Sequence, residues 1–381
     1  MTVYDPWDES VIQDPFPHFK RLRDAHPVYH HIDEDLWFLS RYKDVEESLF
    51  DWRRFSSSQG NMVREDPMRI GKTMTTNDPP RHDELRRLIQ LGYTPGRVAM
   101  QEERIHQLTK ERISQIDLDD FDFINEFSGP LTGLILGTLI GVPDEDLEML
   151  RIKVDEGLAF TRENPTGKGL GEVFDYMLGL IALRRANPGD DMISAFCTAD
   201  AGDDFEITDL EIAVLCGSIL GAGFSSAAHH MGNVMLSLYD WPAIRAAVIE
   251  DTSLVPSMVE ESMRFDVSTM AFARQTTCEV EIEGVTIPEN ARVVCLLSSA
   301  NRDERVFDEP DKFLLDRKKN RHMGFSHGVH YCLGAALARS QMKIAFESLL
   351  PLLGTYDIDF DASERLQHLN FRGFRKLRIR R

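Results

Sequence analysis

Cys332 closes the run Phe325-Ser326-His327-Gly328-Val329-His330-Tyr331-Cys332-Leu333-Gly334, and an amphipathic helix pattern starts directly behind it. A lone thiolate with a glycine turn ahead of it and a small residue after it suits an axial ligand to haem iron. There it donates electron density and favours O–O cleavage. The helix start adds the positive end of a backbone dipole, which lowers a thiol pKa. Gly328 lets the loop bend, and Gly334 lets the helix pass close to a flat cofactor. The competing reading is a buried structural cysteine, the commonest fate of an unpaired thiol.

Other chemistry-bearing residues are spaced for one helical face. His82 and Arg86 stand at i,i+4 after Asp78-Pro79-Pro80, so both can face one ligand; an Arg fork with an imidazole N–H satisfies a carboxylate. Arg87 points elsewhere on that helix. Glu261 and Arg264 stand at i,i+3. Taken alone they are a solvated salt bridge worth little, with Glu260 out of phase as a bystander. His229 and His230 are adjacent rather than i,i+4 and read as packing or surface residues, and no His/Cys cluster has zinc-like spacing.

These residues need a large scaffold to bring them together. The 381 residues, 42% hydrophobic, are ample for a large core. The net charge of -20 argues against nucleic acid and anionic membranes as partners. Five cysteines, an odd number, read as a reduced cytosolic set rather than a disulfide framework. Residues 1–14 are acidic and polar, with no apolar run of signal or anchor length.

Helical periodicity dominates, with helices expected over 16–24, 42–50, 81–91, 97–117, 123–140, 144–160, 171–185 and 209–238. The 123–140 helix is apolar but too short, between polar turns, to span a bilayer. Strands are expected over 37–39, 278–282 and 291–295, the last two joined by a turn at 287–290. Residues 55–76 read as a loop over a site, and 163–169 as another loop. The result is a mostly α chain with a small β region, an α+β body. In the longest helix Thr208 and Glu211 form a capping box and Trp241-Pro242 closes the segment. Gly221-Ala222-Gly223 sits in its interior, where glycine costs about 1 kcal/mol against alanine. That suggests a surface thinned beside a large flat ligand.

The spacing of Phe325, Gly328, Cys332 and Gly334 resembles the cysteine-loop pattern of the cytochrome P450 family, and the N-terminus resembles its soluble bacterial members. Ser326 stands where the bacterial form usually has glycine. The resemblance runs from about residue 14 to 379. It implies a single catalytic domain over 1–381, with a triangular, helix-rich body and a long central helix over haem b. Cys332 is then the iron ligand, and His82, Arg86, Arg274 and His330 contact the haem propionates; the alternative for them is scattered surface charge. Phe325, Gly334 and Ala222 line the cofactor. Glu261 and Arg264 form a buried structural network with the segment holding Asn301, Arg302, Asp303, Phe313 and Arg317.

The implied activity is insertion of one oxygen atom from O2 into a small to medium, largely apolar organic substrate, by hydroxylation or oxidative O-dealkylation. Electrons come from a separate ferredoxin and its NAD(P)H-dependent reductase. Arg339 and Lys343 are placed to contribute to a basic docking patch. The rival readings are a peroxide-driven oxygenase and a non-catalytic haem-dependent sensor or carrier. The protein is expected to be a cytoplasmic monomer with no membrane or nucleic-acid partner. Met62, Met68, Phe160, Phe224, Val267, Met270 and Phe272 are candidate pocket residues, each of which could equally be core. Phe224 should add bulk over the haem, and Arg64 and Arg69 are available to a substrate carboxylate. The main departure is Ser225-Ser226, where relatives place an acid and then Thr. Ser226 keeps a hydroxyl to steady bound dioxygen; Ser225 can relay a proton but is a poor acid.

Overall fold

The computed structural model describes residues 3–90, 92, 95–158, 170–198 and 207–381. In chain order the elements are α1 (Glu9–Gln13), α2 (Phe16–Ala25), β1 (Val28–His31), β2 (Leu36–Leu39), α3 (Tyr42–Phe50), β3 (Phe55–Ser56), α4 (Arg81–Gln90), α5 (Pro95–Gln115), β4 (Asp120–Asp122), α6 (Gly129–Ile140), α7 (Leu147–Leu158), α8 (Leu170–Ala186), α9 (Met192–Thr198), α10 (Asp209–Asp240), α11 (Pro242–Glu250), α12 (Val255–Phe265), β5 (Ala271–Thr276), β6 (Val280–Ile282), β7 (Val285–Ile287), β8 (Arg292–Leu296), α13 (Leu297–Ala300), α14 (Ala335–Leu353), β9 (Asp357–Arg365) and β10 (Phe374–Arg380). The mostly helical expectation with a small β region holds. The expected 163–169 loop lies outside the described residues.

The strands form a five-stranded sheet in the order β1-β2-β8-β5-β3, a three-stranded sheet β4-β10-β9 and the β6-β7 hairpin. The turn expected at 287–290 is not the hairpin turn. Glu283 and Gly284 both take positive φ (50° and 75°), the backbone of a tight two-residue hairpin, so β6 pairs with β7. β8 instead runs parallel to β2 and antiparallel to β5. The 123–140 segment also differs: it opens as a π-helical turn, Phe123–Ser128, whose first N–H groups are accepted by the Asp122 carboxylate, and only then becomes α6.

Helix α10 sets the frame. Its start is the expected capping box: Thr208 Oγ1 accepts the Glu211 N–H at 3.2 Å, and the Glu211 carboxylate accepts the Thr208 N–H at 2.8 Å. It packs on α6 and α8. Two glycines make that approach possible. A Cβ on Gly217 would press on Phe174 of α8 at 2.8 Å, and one on Gly223 would overlap Leu136 of α6. Gly223 is thus small for helix packing, which corrects the expectation that it thins the helix for a ligand. Segment 123–140 and α10 are apolar and long enough to cross a membrane by length and composition, but most of each is buried within the protein body. His229 and His230 are packing residues. Burial pushes both imidazoles down to about 4, and they bond the Phe374 carbonyl and the Ser262 hydroxyl, both at 2.9 Å.

Candidate active site between helix α10 and the Cys332 loop

The cysteine loop is held from two directions. The Cys332 N–H donates to the Phe325 carbonyl at 2.9 Å, which ties the loop ends together. Gly328 takes φ +70°, and a Cβ there would run into the Leu49 carbonyl at the end of α3, so both backbone and packing demand glycine. Gly334 differs: the nearest atom to a Cβ there is Cys332 Sγ at 4.0 Å, so protein packing alone does not demand it. Ser326 takes φ 59°, the left-handed region, with its hydroxyl buried and unpaired among the described residues. Burial pushes the Cys332 thiol up; a bond from the Gly334 N–H and the charges of Arg86 and Arg339 offset part of that rise.

Behind the loop, α12 carries a closed ion network. Glu261 is 1% exposed and Arg264 0%. They pair at 2.7 and 3.0 Å, and Arg264 also donates to the carbonyls of Asn301, Pro310 and Lys312. Glu261 further accepts from Arg317, Asn320 and the Leu314 N–H. The solvated reading of Glu261 and Arg264 is excluded by this burial. Arg302 stands apart, sandwiched between the Phe16 and Phe265 rings at 3.5 and 3.8 Å.

Glu260 is not a bystander. Its carboxylate takes Arg339 of α14 at 2.5 and 3.1 Å and His322 at 3.0 Å. Burial alone would raise this carboxyl, but those two donors outweigh it and hold it at about 2. Arg339 therefore presents a neutralised pair, while Lys343 of the same helix is exposed.

In front of the loop four basic side chains converge: His82 Nδ1 meets the Asp83 carboxylate at 2.8 Å, and among the described residues no acid pairs with Arg86, Arg274 or His330. The His82 and His330 rings meet edge to face at 4.7 Å. His82 Nε2 and both ring nitrogens of His330 are buried with no partner among the described residues. Arg274 is 2% exposed and its guanidinium bonds the carbonyl of Ala273 at 2.8 Å. Arg86 reaches the Tyr331 carbonyl at 3.0 Å and the Val329 carbonyl at 3.4 Å. Burial pushes His330 well down, and the charges of Arg274, His82 and Arg86 push it further. Buried donors of one sign without partners are costly unless a ligand completes them. Arg87 is exposed on α4.

Along the buried middle of α10 one stripe is less buried: Ser218, Ile219, Ala222 and Ser226, at the spacing of a single helical face. Ala222 is exposed there. Ser226 donates to the Ala222 carbonyl at 2.6 Å, and its own carbonyl accepts Ser268 at 2.7 Å. Ser225 is turned away, 5% exposed with its hydroxyl unpaired among the described residues. Phe224 is also turned away: it is 2% exposed and its ring lies 3.0 Å from where a Cβ on Gly133 of α6 would sit. Helical geometry explains this, since Phe224 follows Ala222 by only two residues and so faces another side.

The remaining pocket candidates separate. Met62 packs with Phe371 and Leu366. Met68 is exposed. Val267 joins the main core, Met270 lines a small cavity with Tyr4 and Phe19, and Phe272 packs against the five-stranded sheet's core. Phe160 lies outside the described residues. Arg64 is paired with Glu34, and Arg69 with Glu65 at 2.6 Å, so neither is a free cation for a substrate carboxylate. Sequence reasoning missed the turn between β9 and β10. Asn370, 1% exposed, accepts the Val63 N–H at 3.0 Å, donates to the Ala271 carbonyl at 2.9 Å, and its own carbonyl takes the Met270 N–H at 2.7 Å. Phe371 pairs with Thr269 beside it. A short irregular run between strands offers no periodicity by which to find it.

The donor set fits haem. A soft thiolate suits the iron, and the orphaned nitrogens of His82 and His330, with Arg86 and Arg274, suit two propionates. A family profile described as cytochrome P450 matches residues 170–353. A putative cytochrome P450 123 of Mycobacterium tuberculosis is 32% identical over 99% of this chain and 96% of its own. The cyclomarin C epoxidase CymV of Salinispora arenicola is 32% identical over 86% of each chain. The crystal structure of CYP109E1 from Bacillus megaterium in complex with testosterone superposes with a TM-score of 0.90 at 28% identity, covering 100% of this chain and 99% of that one. On this whole-length identity and this architecture, the chain belongs to the cytochrome P450 family.

Proposed function

We propose that this chain is a haem-thiolate monooxygenase that inserts one oxygen atom from O2 into a small to medium, largely apolar organic substrate. Its cofactor is haem b, and a separate ferredoxin with an NAD(P)H-dependent reductase supplies the electrons. The observation that carries this reading is the gathering of His82, Arg86, Arg274 and His330 around the Cys332 loop, with the outer ring nitrogen of His82 and both of His330 orphaned among the described residues. Haem, when bound, supplies the oxidising chemistry, and a thiolate ligand favours O–O cleavage.

The chain's own residues do the rest. Cys332 Sγ holds the iron, with the Gly334 N–H bond and the Arg86 and Arg339 charges favouring its ionised form. His82, Arg86, Arg274 and His330 fix the propionate edge. Ala222 leaves room on the α10 side, and Ser226 offers its hydroxyl oxygen as an acceptor, since its proton is given to Ala222. Substrate is oriented by apolar groups near Met62, Phe371 and Thr269. The binding of testosterone by one structural relative agrees with an apolar substrate.

Protons must reach this site, and Ser225 supplies no acid. That substitution favours one second reading, a peroxide-driven oxygenase. Two measurements separate the readings. The reduced carbon monoxide complex should show a strongly red-shifted Soret band that Cys332→Ala abolishes; a histidine-type band, with haem binding unchanged in Cys332→Ala, overturns the haem-thiolate assignment. Turnover of a substrate panel should require the donor system and NAD(P)H. Turnover with hydrogen peroxide alone selects the second reading. In the first, Ser225→Asp should raise product formed per NAD(P)H consumed.

A further inference from the structure

Glu260 and Glu261 are neighbours, yet their carboxylates share no donor. Glu261 serves Arg264, Arg317, Asn320 and Leu314; Glu260 serves His322 and Arg339. We propose that Glu260 is a positioning residue for the iron-ligating cysteine, acting through Arg339 and Phe325. The proposal rests on Cys332 being the ligand.

The contacts run in an unbroken chain. Glu260 on α12 takes Nε and Nη2 of Arg339 on α14 at 2.5 and 3.1 Å. Held there, the Arg339 guanidinium lies over the Phe325 ring, 4.4 Å from its centre, and reaches the Tyr331 hydroxyl at 3.4 Å. The Phe325 carbonyl in turn takes the Cys332 N–H. On the other side His322 Nδ1 accepts the Gly324 N–H at 3.1 Å, so Nε2 carries the proton that is donated to Glu260 at 3.0 Å. One carboxylate thereby fixes the cysteine loop at both ends: residues 322–325 through His322, and residues 331–339 through Arg339.

Charge and position can be told apart. As bare charges, Glu260 and Arg339 are opposite, so removing one should move the electron affinity of the iron up and removing the other should move it down. As a clamp, either loss frees the same guanidinium from the same ring. The test is the reduction midpoint of the haem-loaded protein, by spectroelectrochemistry, for wild type, Glu260→Ala, Arg339→Gln, the double variant and Glu347→Gln, a charge change elsewhere on α14. Glu260→Ala and Arg339→Gln should both lower the midpoint, by about tenfold in the reduction equilibrium, roughly 59 mV for one electron. The double variant should go no further than either single one. Glu260→Gln, which keeps the side-chain size and an acceptor oxygen, should give a smaller shift in the same direction if Glu260→Ala does not fold. Opposite or additive shifts, or shifts no larger than that of Glu347→Gln, overturn the proposal. The carbon monoxide band keeps the two failures distinct: a wild-type band that is not red-shifted removes the haem-thiolate reading itself.

Discussion

Behind the cysteine loop, Glu261 and Arg264 are wholly buried and every charge they carry is met by a partner of the chain's own. In front of it, Arg274 and His82 are buried almost as deeply beside the half-buried His330, and His82 Nε2 and both His330 nitrogens have no partner among the described residues. Both sides hold deeply buried basic groups, but the ones in front are far less completely paired. A fold that can close an ion network so completely a few residues away does not leave another open for want of acids in a chain of net charge -20. The unmatched side is where a ligand completes the protein, and the matched side is where the protein completes itself.

That contrast can be broken in order of expected effect. Glu261→Ala leaves Arg264 and Arg317 buried without their anion and should cost about 3–5 kcal/mol of folding stability. Denaturant titration checks this, and a soluble variant at wild-type stability would break the comparison on its closed side. Arg274→Ala and Arg86→Ala should instead spare the fold and weaken haem retention by about 1.5–3 kcal/mol each. Exposed Arg87→Ala should leave retention unchanged, and equal haem content in all three erases the distinction.

A smaller gain is expected at Ser326→Gly. It relieves a left-handed serine, worth about 1–2 kcal/mol, and removes a buried unpaired hydroxyl. The added freedom of the unfolded chain takes back about 0.4–1 kcal/mol. A net stabilisation of about 1 kcal/mol should raise the thermal midpoint. Smallest is a pH effect. The Glu260 carboxyl is held at about 2 in the folded protein against an ordinary value of 4.5. Its contribution is therefore fully present above pH 4.5 and is lost as the pH falls toward 2. Glu260→Gln should flatten the acid limb in that window by lowering stability slightly at neutral pH and converging with wild type toward pH 2, and the loss stays small because the pair is over a third exposed.

Much of this was legible because it is local. The capping box at Thr208 and Glu211, the closing Trp241, and the burial of the long helix follow from nearest-neighbour rules. The Cys332 loop is legible because glycine spacing and backbone geometry are tied at Gly328. What escaped depends on partners distant in sequence. Glu260 acquires its place from Arg339, and Gly223 from Leu136. The β6–β7 hairpin escaped because Glu283 adopts positive φ without the Asn or Gly that would announce it. Arg64 and Arg69 looked free because their acids, Glu34 and Glu65, compete in a sequence full of acids. Phe224 was misdirected by adjacency, since two residues along a helix change the face.

Asn370 has a consequence for how such a protein diversifies. Its single amide joins the 57–76 loop, the start of β5 and the β9–β10 turn. Three backbone segments that meet near Met62, Thr269 and Phe371 thus move as one piece, and a shift in any of them drags the other two or breaks a buried bond. New selectivity is then reached most readily by exchanging side chains on a fixed frame, because the frame itself has no slack through which to drift gradually.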